Sequence, residues 1–423
     1  MTPSIQVFED RCLLGSISTE TRDVLFQKKL HSTDKNKVHF CGLISPGKGS
    51  LAIFLPRNSN PKQFDSHNEK LQIAHILRTS LTKYAFDKKH DGQEGGLEGS
   101  LDSLSIIGML EWLFSDFLEN GLYRQITKID TRASSKINWS RTIKSTPAYL
   151  SAGKPVYLSP IGSKFTHKAD SDISKIHAQI LVSYYESYGM IIFGKSISEI
   201  EMLQYEASQV MVERERKRSL LNTGLRSAYS ERDIKLLKVL LSLADEESRN
   251  IGDYFVFGVK SFQHMWEKII NTGSSYVQDF SKSLFYPSFK NNEGKYSHAI
   301  NKRPVTDTIV VNPRTNDIVI IDAKYYQATS PSNSPPINDI VKQHNYLRIF
   351  DKLCPAVRKS NVFVYPGLEK VFQSIHFWNP TTDSHEDDLY PPIICLYIDP
   401  IEALTGYSTN IKISSLNHAL KDL

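Results

Sequence analysis

The sequence predicts an α+β N-terminal region with a β-rich start, followed by an α/β core in which helices flank a mixed central sheet. Apolar runs at 38–44 and 50–56 are separated by a turn cluster, which is typical of strands. The last part of the chain alternates helical periodicity with short apolar runs, in the order helix, strand, strand, helix, strand. Together these patterns favour a small α/β sandwich after a strand-rich beginning.

The chain divides into three predicted domains: a β-rich domain at 1–60, a helical and mixed middle region at 61–225, and an α/β domain at 226–423. Polar residues at 57–68 read as a linker. Apolar residues at steps of three and four predict helices at 69–86, 101–118, 172–188, 198–221, 230–247, 255–270 and 338–350. The segments 122–129, 361–365 and 393–398 are predicted to be extended.

The composition is that of an ordinary globular protein, with 423 residues, 40% of them hydrophobic and 23% charged. No apolar run approaches the ~18 residues of a membrane helix, so we expect no membrane association. The start of the chain lacks a basic segment followed by an apolar one, and we therefore expect a cytoplasmic protein. Four scattered cysteines without Cys-x-x-Cys spacing are predicted to be free thiols.

The residues with the clearest chemistry are Asp307, Asp322 and Lys324, in a predicted two-stranded hairpin. Apolar runs at 308–311 and 318–321 flank a turn cluster at 312–317. If the strands fold back symmetrically about that turn, Asp307 lies opposite Asp322. Lys324 is two residues further along the strand and projects from the same face as Asp322. Two carboxylates and an ammonium group are therefore expected to converge.

Two carboxylates about 4.5–5.5 Å apart at Cβ repel each other, and burying them is costly unless a cation lies between them. Carboxylate oxygens suit Mg²⁺, and Mn²⁺ can substitute. The lysine can steer or help deprotonate water and stabilise charge on a phosphate. The implied chemistry is phosphodiester hydrolysis. A weaker interpretation makes Asp322 and Lys324 a surface ion pair and Asp307 a turn cap.

The positive charge is concentrated at 127–168, where eight basic residues accompany one acidic residue, whereas the whole chain carries only +5. Aromatic residues are interleaved with them. This mixture suits phosphate contacts and base stacking, so Trp139, Arg141 and Lys144 are candidate contacts to double-stranded DNA. The alternative is a solvated basic loop.

One motif misleads. The stretch 42–49 nearly spells a phosphate-binding loop, but Gly49 stands where a Ser or Thr is required, and no helical pattern follows. We predict a hairpin turn there, and we do not expect this chain to hydrolyse nucleotides.

The Asp307 hairpin, the Asp322-Ala-Lys324 string and the helix bearing Gln343 and Tyr346 resemble a PD-(D/E)xK nuclease core, although Thr306 replaces the proline that commonly precedes the first aspartate. More specifically, the chain resembles LlaJI-type restriction endonucleases, relatives of the nuclease subunit of the McrBC restriction system. Four places carry this resemblance: Cys41-Gly-Leu-Ile44 with Ile53-Phe-Leu-Pro56, Ile137-Asn-Trp-Ser-Arg-Thr-Ile143, Phe262-Gln-His-Met-Trp-Glu267, and Ile321-Asp-Ala-Lys-Tyr-Tyr326.

The resemblance implies a Mg²⁺-dependent endonuclease subunit that works with a separate AAA+ GTPase motor. It matches Asp307, Asp322 and Lys324 to the catalytic triplet and Glu267 to a helix carboxylate that can complete the metal site. It also implies that Gln343 positions DNA or the lysine; for Glu267 and Gln343, ordinary helix polarity is the competing interpretation. Two alternatives remain for the whole chain: an autonomous type II restriction endonuclease, and a non-catalytic DNA-binding or scaffold protein on a degenerate nuclease fold.

Overall fold

The computed structural model describes residues 4–32, 36–47, 50–90, 101–132, 136–168, 171–194, 197–203, 213–246, 255–421 and 423. Apolar runs between turns form its strands. In chain order the strands are β1 Ser4–Glu9, β2 His31–Ser32, β3 Lys37–Val38, β4 Cys41–Gly47, β5 Ser50–Leu55, β6 Gln125–Arg132, β7 Tyr149–Ser151, β8 Lys154–Val156, β9 Ile161–Lys168, β10 Phe255–Val259, β11 Ser288–Lys290, β12 Tyr296–His298, β13 Thr308–Val311, β14 Ile318–Ala323, β15 Lys359–Pro366, β16 Ser374–Ile375, β17 Trp378–Asn379, β18 Ser384–His385 and β19 Ile393–Ile398.

Segments with apolar residues three and four apart form the helices. In chain order the α-helices are α1 Thr19–Gln27, α2 His67–His90, α3 Leu101–Asn120, α4 Trp139–Ser145, α5 Asp172–Phe193, α6 Ser198–Glu201, α7 Arg214–Ser227, α8 Glu231–Glu246, α9 Phe262–Gly273, α10 Ile337–Leu353, α11 Pro400–Thr409 and α12 Ser414–Lys421. Across the described residues, no helix combines the length and the apolar character needed to cross a membrane. All four cysteines are free thiols, as predicted.

The chain forms two compact units, one from 1–104 and 253–423 and the other from 105–252. This division differs from the three domains predicted from the sequence. The physical reason is strand pairing, since β10 follows the second unit in the chain but pairs with β4 in the N-terminal sheet. That sheet has the order β1-β5-β4-β10, with β1 parallel to β5 and the other pairs antiparallel.

A second sheet of the first unit has the order β13-β14-β15-β19-β16. Its three central strands β14, β15 and β19 run parallel, and β13 and β16 pair antiparallel at the two edges. Helix α10 makes the crossover from β14 to β15, and its apolar side chains pack on Ile309 and Ile320. The β-rich start and the mixed central sheet flanked by helices are therefore confirmed.

The unit at 105–252 has its own apolar core, built from α3, α5, α7 and α8. An ion pair between Asp116 and Arg232, with 2.8 Å between Oδ1 and Nε, joins α3 to α8 at the edge of that core. The long antiparallel pair β6–β9 belongs to the same unit, and its first strand overlaps the extended segment predicted at 122–129.

Two helix predictions were wrong at their boundaries. The predicted helix at 255–270 begins only at Phe262, because Phe255–Val259 is strand β10. Val256, Phe257 and Val259 are all buried, and a short run buried on both faces has no period that separates a strand from a helix. The predicted helix at 198–221 is interrupted: α6 ends at Glu201, and α7 extends from Arg214 to Ser227. Residues 204–212 between them lie outside the described residues.

The near-motif at 42–49 begins a hairpin, as predicted. Strand β4 pairs antiparallel with β5, and the pairing resumes at Gly47 and Ser50 after an irregularity. Lys48 and Gly49 lie outside the described residues.

Gly42 allows the closest backbone approach in the N-terminal sheet. It lies opposite Gly258 of β10, with φ +155°, and the ring of Phe40 covers both glycines. A Cβ added at Gly42 would lie 2.3 Å from the carbonyl oxygen of Phe257, which is backbone and cannot turn aside. The β4–β10 pairing therefore requires glycine here.

We expect Gly42→Ala to lower the free energy of unfolding by roughly 1–3 kcal/mol, the usual cost of overpacking a close-packed site. Urea or thermal denaturation of the purified chain measures this loss. Gly15→Ala is the matched control, because nothing lies within 4 Å of the added methyl group and no positive φ is involved. Equal stability of the two variants would contradict the role assigned to Gly42.

Candidate active site

The two aspartates of the hairpin face each other, as the fold-back symmetry predicted. Thr308 pairs with Ile321 and Ile309 with Ile320, and continuing this register by one residue places Asp307 opposite Asp322. Asp307 directly precedes β13, where its Oδ2 accepts a hydrogen bond of 3.0 Å from the backbone N–H of Ala323. The edge strand thus carries one carboxylate and the adjacent central strand the other.

Asp322 is 1% exposed, which is exceptional for a carboxylate. The Nζ atom of Lys324 lies 2.7 Å from its Oδ2. Its Oδ1 has no hydrogen-bond partner within the part of the chain that the structure describes. A buried acceptor without a partner is costly, and it marks a place where a cation would be stabilised.

The pKa of Asp307 is raised to about 8, chiefly by burial and then by the charge of the neighbouring Asp322, with a smaller contribution from Glu267. The hydrogen bond from Ala323 opposes this effect. Two carboxylates this close in a buried site do not both ionise readily at neutral pH without a compensating positive charge. The pair therefore has the character of a cation site.

Lys324 follows Asp322 on the same face of β14 and is the cation nearest to it. Burial alone would lower its pKa, but the charges of Asp322, Asp339 and Asp307 outweigh burial, and the pKa of Lys324 is raised above its ordinary value. The backbone N–H of Lys324 donates to the carbonyl of Val364 at 2.9 Å, which fixes the end of β14 against β15. Lys324 is thus held in place as an ammonium group.

Asp339 is a site residue that the sequence reasoning missed. Its Oδ1 lies 3.3 Å from Nζ of Lys324, so this lysine contacts one carboxylate on the strand and one on α10. The available signal was helical spacing, since Asp339 precedes Gln343 by four residues and therefore shares its face of the helix. The hydroxyl of Tyr326 also contacts Asp339, at 3.2 Å.

Glu267 lies on the first turns of α9, and its side chain is 40% exposed. Its Oε2 is 3.6 Å from Nδ1 of His264, and its charge reaches Asp307. In the described part of the chain, no three His, Cys, Asp or Glu side chains lie close enough together to hold an ion. Coordination by Glu267 stays a prediction. The neighbouring Trp266 is fully buried and anchors α9 to β15 by donating to the carbonyl of Val364 at 3.1 Å.

Gln343 is fully buried, and its Nε2 donates to the carbonyl of Ile320 at 2.8 Å. This bond ties α10 to β14 two residues before Asp322. Because α10 also carries Asp339, Gln343 contributes to placing the acidic partner of Lys324. Its burial favours the positioning role over a direct contact with DNA.

The N-terminal sheet reaches the same strand end through Tyr325. The hydroxyl of Tyr325 accepts a 2.9 Å hydrogen bond from the backbone N–H of Arg57, and the Arg57 guanidinium lies 5.4 Å from its ring centroid. Asp10 is buried nearby, where burial raises its pKa to about 6 against the opposing effect of Arg11 and Arg57. The residue that follows Lys324 is therefore held by the sheet that begins the chain.

The predicted DNA contacts at Trp139, Arg141 and Lys144 lie on α4 in the unit at 105–252, and all three are exposed. Trp139 meets Tyr157 edge to face, with 6.3 Å between ring centroids. Asn138 begins the helix by accepting from the N–H of Arg141 at 3.3 Å. Of the other basic residues counted in this segment, four have side chains that lie outside the described residues: Lys128, Arg132, Lys164 and Lys168.

The donor set fits a hard divalent cation. Asp307 and Asp322 offer carboxylate oxygens, one of them buried without a partner, and such oxygens are the ligands that Mg²⁺ prefers. A cation at this point would also relieve the repulsion that raises the pKa of Asp307. An ammonium group held beside a carboxylate pair is an arrangement suited to the hydrolysis of a phosphate ester.

Two of the solved chains that are similar to this one come from Thermococcus gammatolerans. One belongs to the refined half-complex of McrB AAA+ hexamers with bound McrC; it is 12% identical, the match covers 99% of this chain and 100% of that one, and the TM-score is 0.39. The other belongs to the McrBC complex solved by cryo-electron microscopy; it is 11% identical, with coverage of 63% and 85% and a TM-score of 0.28.

Comparison with known sequences gives a relative and a family. The component YdjA of the type II restriction enzyme BsuMI from Bacillus subtilis (strain 168) is 26% identical over 360 residues, which are 80% of this chain and 75% of the relative. The family described as LlaJI restriction endonuclease matches residues 40–398, which include the whole second unit and every strand of the sheet β13-β14-β15-β19-β16. The chain therefore belongs to the LlaJI restriction endonuclease family.

Proposed function

We propose that this protein is the DNA endonuclease subunit of a restriction system and hydrolyses phosphodiester bonds with the help of Mg²⁺. The observation that carries the proposal is the convergence of Asp307, Asp322 and Lys324 at one end of the β13–β14 hairpin. Membership of a restriction endonuclease family supports a nuclease role. We assign the sheet β13-β14-β15-β19-β16, with α9 and α10, as a PD-(D/E)xK-type core.

Asp307 and Asp322 are the proposed ligands of the cation, with Glu267 as a possible third. When bound, Mg²⁺ or Mn²⁺ supplies Lewis-acid stabilisation of charge on the phosphate and on the leaving 3′-oxygen. Lys324 orients the attacking water and neutralises charge that develops on the phosphate. Lys324 acts through its positive charge, which is held 2.7 Å from Asp322 Oδ2 and 3.3 Å from Asp339 Oδ1. Asp339 and Gln343 keep that charge in place, and the products carry 5′-phosphates.

We further propose double-stranded DNA as substrate, with Trp139, Arg141 and Lys144 among its contacts, and a separate AAA+ GTPase motor subunit as partner. The curated relative is named as one component of a restriction enzyme, which supports a multi-subunit arrangement. The exposed basic and aromatic side chains of α4 support the DNA contact.

Replacing Lys324 or Asp322 tests the catalytic assignment. We expect Lys324→Ala and Asp322→Asn each to reduce Mg²⁺-dependent cleavage by roughly 10²-fold or more, because each removes a charge that acts on the transition state. Nicking of supercoiled plasmid, with the partner subunit present, measures the rate.

The controls are Arg314→Ala and Asp317→Asn, which make the same chemical changes in the turn of the same hairpin. They are expected to cut like the wild type. Unimpaired cutting by the Lys324 and Asp322 variants would refute the assignment. DNA binding without cutting by any form, including the wild type, would favour the non-catalytic alternative.

The pKa of Asp307 predicts a pH dependence of cation affinity. Without a cation, Asp307 binds a proton below about pH 8, and the cation must displace it. We therefore expect the Mn²⁺ affinity to fall by about tenfold for each pH unit between 8 and 6, and to level off above 8. Calorimetric titration measures this dependence. Asp307→Asn should bind more weakly and lose the dependence on pH; a flat profile for the wild type would contradict the coupling.

The motor proposal is tested by assaying the chain alone and together with an AAA+ GTPase encoded beside it. We expect efficient cutting of long DNA only when the partner and GTP are both present, because the motor delivers the DNA to the site. Efficient, site-specific cutting by the isolated chain would instead establish the autonomous type II alternative.

A further inference from the structure

A groove of about 710 Å³ lies between α10 and the segment that leads into Asp307. Phe285, Pro304 and Val305 form one wall, and Lys342, Tyr346 and Ile349 of α10 form part of the other. Its volume is within the roughly 300–1,000 Å³ of ligand-binding pockets. None of the residue assignments made above uses this groove.

The groove adjoins the carboxylate pair. Tyr346 lines it and donates a hydrogen bond from its hydroxyl to the carbonyl oxygen of Val305, two residues before Asp307. On the same helix, Gln343 bonds to β14 beside Asp322. Burial raises the pKa of Tyr346 and the charges of Asp322 and Asp307 raise it further, so the groove that Tyr346 lines borders the proposed reaction centre.

The basic side chains of the groove retain their charge for a ligand. Lys342, Arg348 and Lys352 line it and are exposed, and within the described residues no salt bridge joins them to a carboxylate. The two acidic residues of α10 are directed elsewhere: Asp339 to Lys324 at 3.3 Å, and Asp351 to Lys359 at 3.1 Å. The acidic residues of α10 already contact lysines, whereas its groove-lining Lys and Arg side chains form no salt bridge within the described residues. Such a helix suits an anionic ligand.

The opposite wall is apolar and open to solvent. Val305 is 73% exposed and Phe285 is 50% exposed. A stacked duplex presents mainly phosphate and sugar to a protein surface. These polar groups would gain little binding free energy from contact with apolar side chains. The flat face of an unstacked base would bury them, since bases stack on aromatic and apolar side chains without regard to sequence.

The segment at 282–303, which leads to this wall, is rich in basic and aromatic residues. Residues 282–303 contain five basic residues and one acidic residue, and every residue of β11 and β12 is exposed. Three cations lie over aromatic rings here: Arg303 is 4.8 Å from the Tyr286 centroid, Lys302 is 5.4 Å from that of Phe289, and Lys290 is 5.6 Å from that of Tyr296. Interleaved cations and aromatic rings are the surface that single-stranded nucleic acid uses.

We propose that this groove binds an unstacked nucleotide of the DNA strand next to the cleaved bond, with its base against Phe285, Pro304 and Val305 and neighbouring phosphates on Lys342 and Lys352. The inference deepens the proposed nuclease function and rests on it for the identity of the ligand as DNA. It adds a local unpairing of the substrate at the site, which the carboxylate geometry by itself does not require.

Photocrosslinking tests the base contact. A mixed-sequence, single-stranded oligonucleotide carrying 5-iododeoxyuridine is irradiated with the full-length Asp322→Ala protein, which binds without cutting, and the crosslinked peptide is mapped by mass spectrometry. We expect crosslinks at Phe285, and at least a fivefold loss of crosslinking at that residue when Val305→Trp fills the groove. Ile411→Trp, at another exposed apolar position, is the control and should crosslink normally.

Salt dependence tests the phosphate contacts. The double variant Lys342→Ala, Lys352→Ala should reduce the slope of log affinity against log salt concentration by roughly 1.5 for a single strand, because two phosphate contacts are lost. Lys62→Ala, an exposed lysine outside the groove, should reduce it by less than half that amount. Crosslinks that map elsewhere, or that persist in Val305→Trp, would overturn the proposal.

The outcome is separable from that of the proposed function. If the protein crosslinks in the groove but the wild type never cuts DNA, the nucleotide site is supported and the nuclease function is refuted. If the wild type cuts DNA with Mg²⁺ but no crosslinks form in the groove, the nuclease function is supported and the nucleotide site is refuted.

Discussion

The arrangement of the candidate site depends on the repulsion between two carboxylates that are held on adjacent strands. Asp307 and Asp322 face each other across the β13–β14 hairpin, and the second is almost completely buried. Within the described residues, Asp322 Oδ1 has no hydrogen-bond partner. Burial and the charge of Asp322 therefore raise the pKa of Asp307 to about 8, and Nζ of Lys324 lies 2.7 Å from Asp322 Oδ2. An arrangement this costly is typical of a functional site and not of a structural one.

The surrounding elements fix this geometry from three directions. Trp266 ties α9 to the carbonyl of Val364, and Gln343 ties α10 to that of Ile320. Arg57 holds Tyr325, the residue after Lys324, from the N-terminal sheet. The contacts of Trp266 and Gln343 are buried hydrogen bonds to the backbone, so losing either partner would leave a buried polar group unsatisfied. The N-terminal sheet and the site are in this way parts of one compact unit, although the chain between them forms a second one.

The hairpin was predictable because its register depends on local features alone. A symmetric turn fixes which residues oppose each other, and a period of two fixes which side chains share a face; both rules held for Asp322 and Lys324. Long amphipathic helices such as α2 and α10 were predictable for the same reason. Strand β10 was not, because Val256, Phe257 and Val259 are all buried, and a short apolar run of that kind fits a helix equally well.

The sequence by itself determined which functional groups are present, namely an acidic pair and a lysine on one hairpin. It also determined the family to which the chain belongs. Only the tertiary structure decided what completes the site. Asp339 meets Lys324 because α10 crosses from β14 to β15, and Arg57 meets Tyr325 because the first and last parts of the chain fold together. Such contacts join residues far apart in the chain, and no periodicity within one segment encodes them, since they depend on how separately folded elements pack.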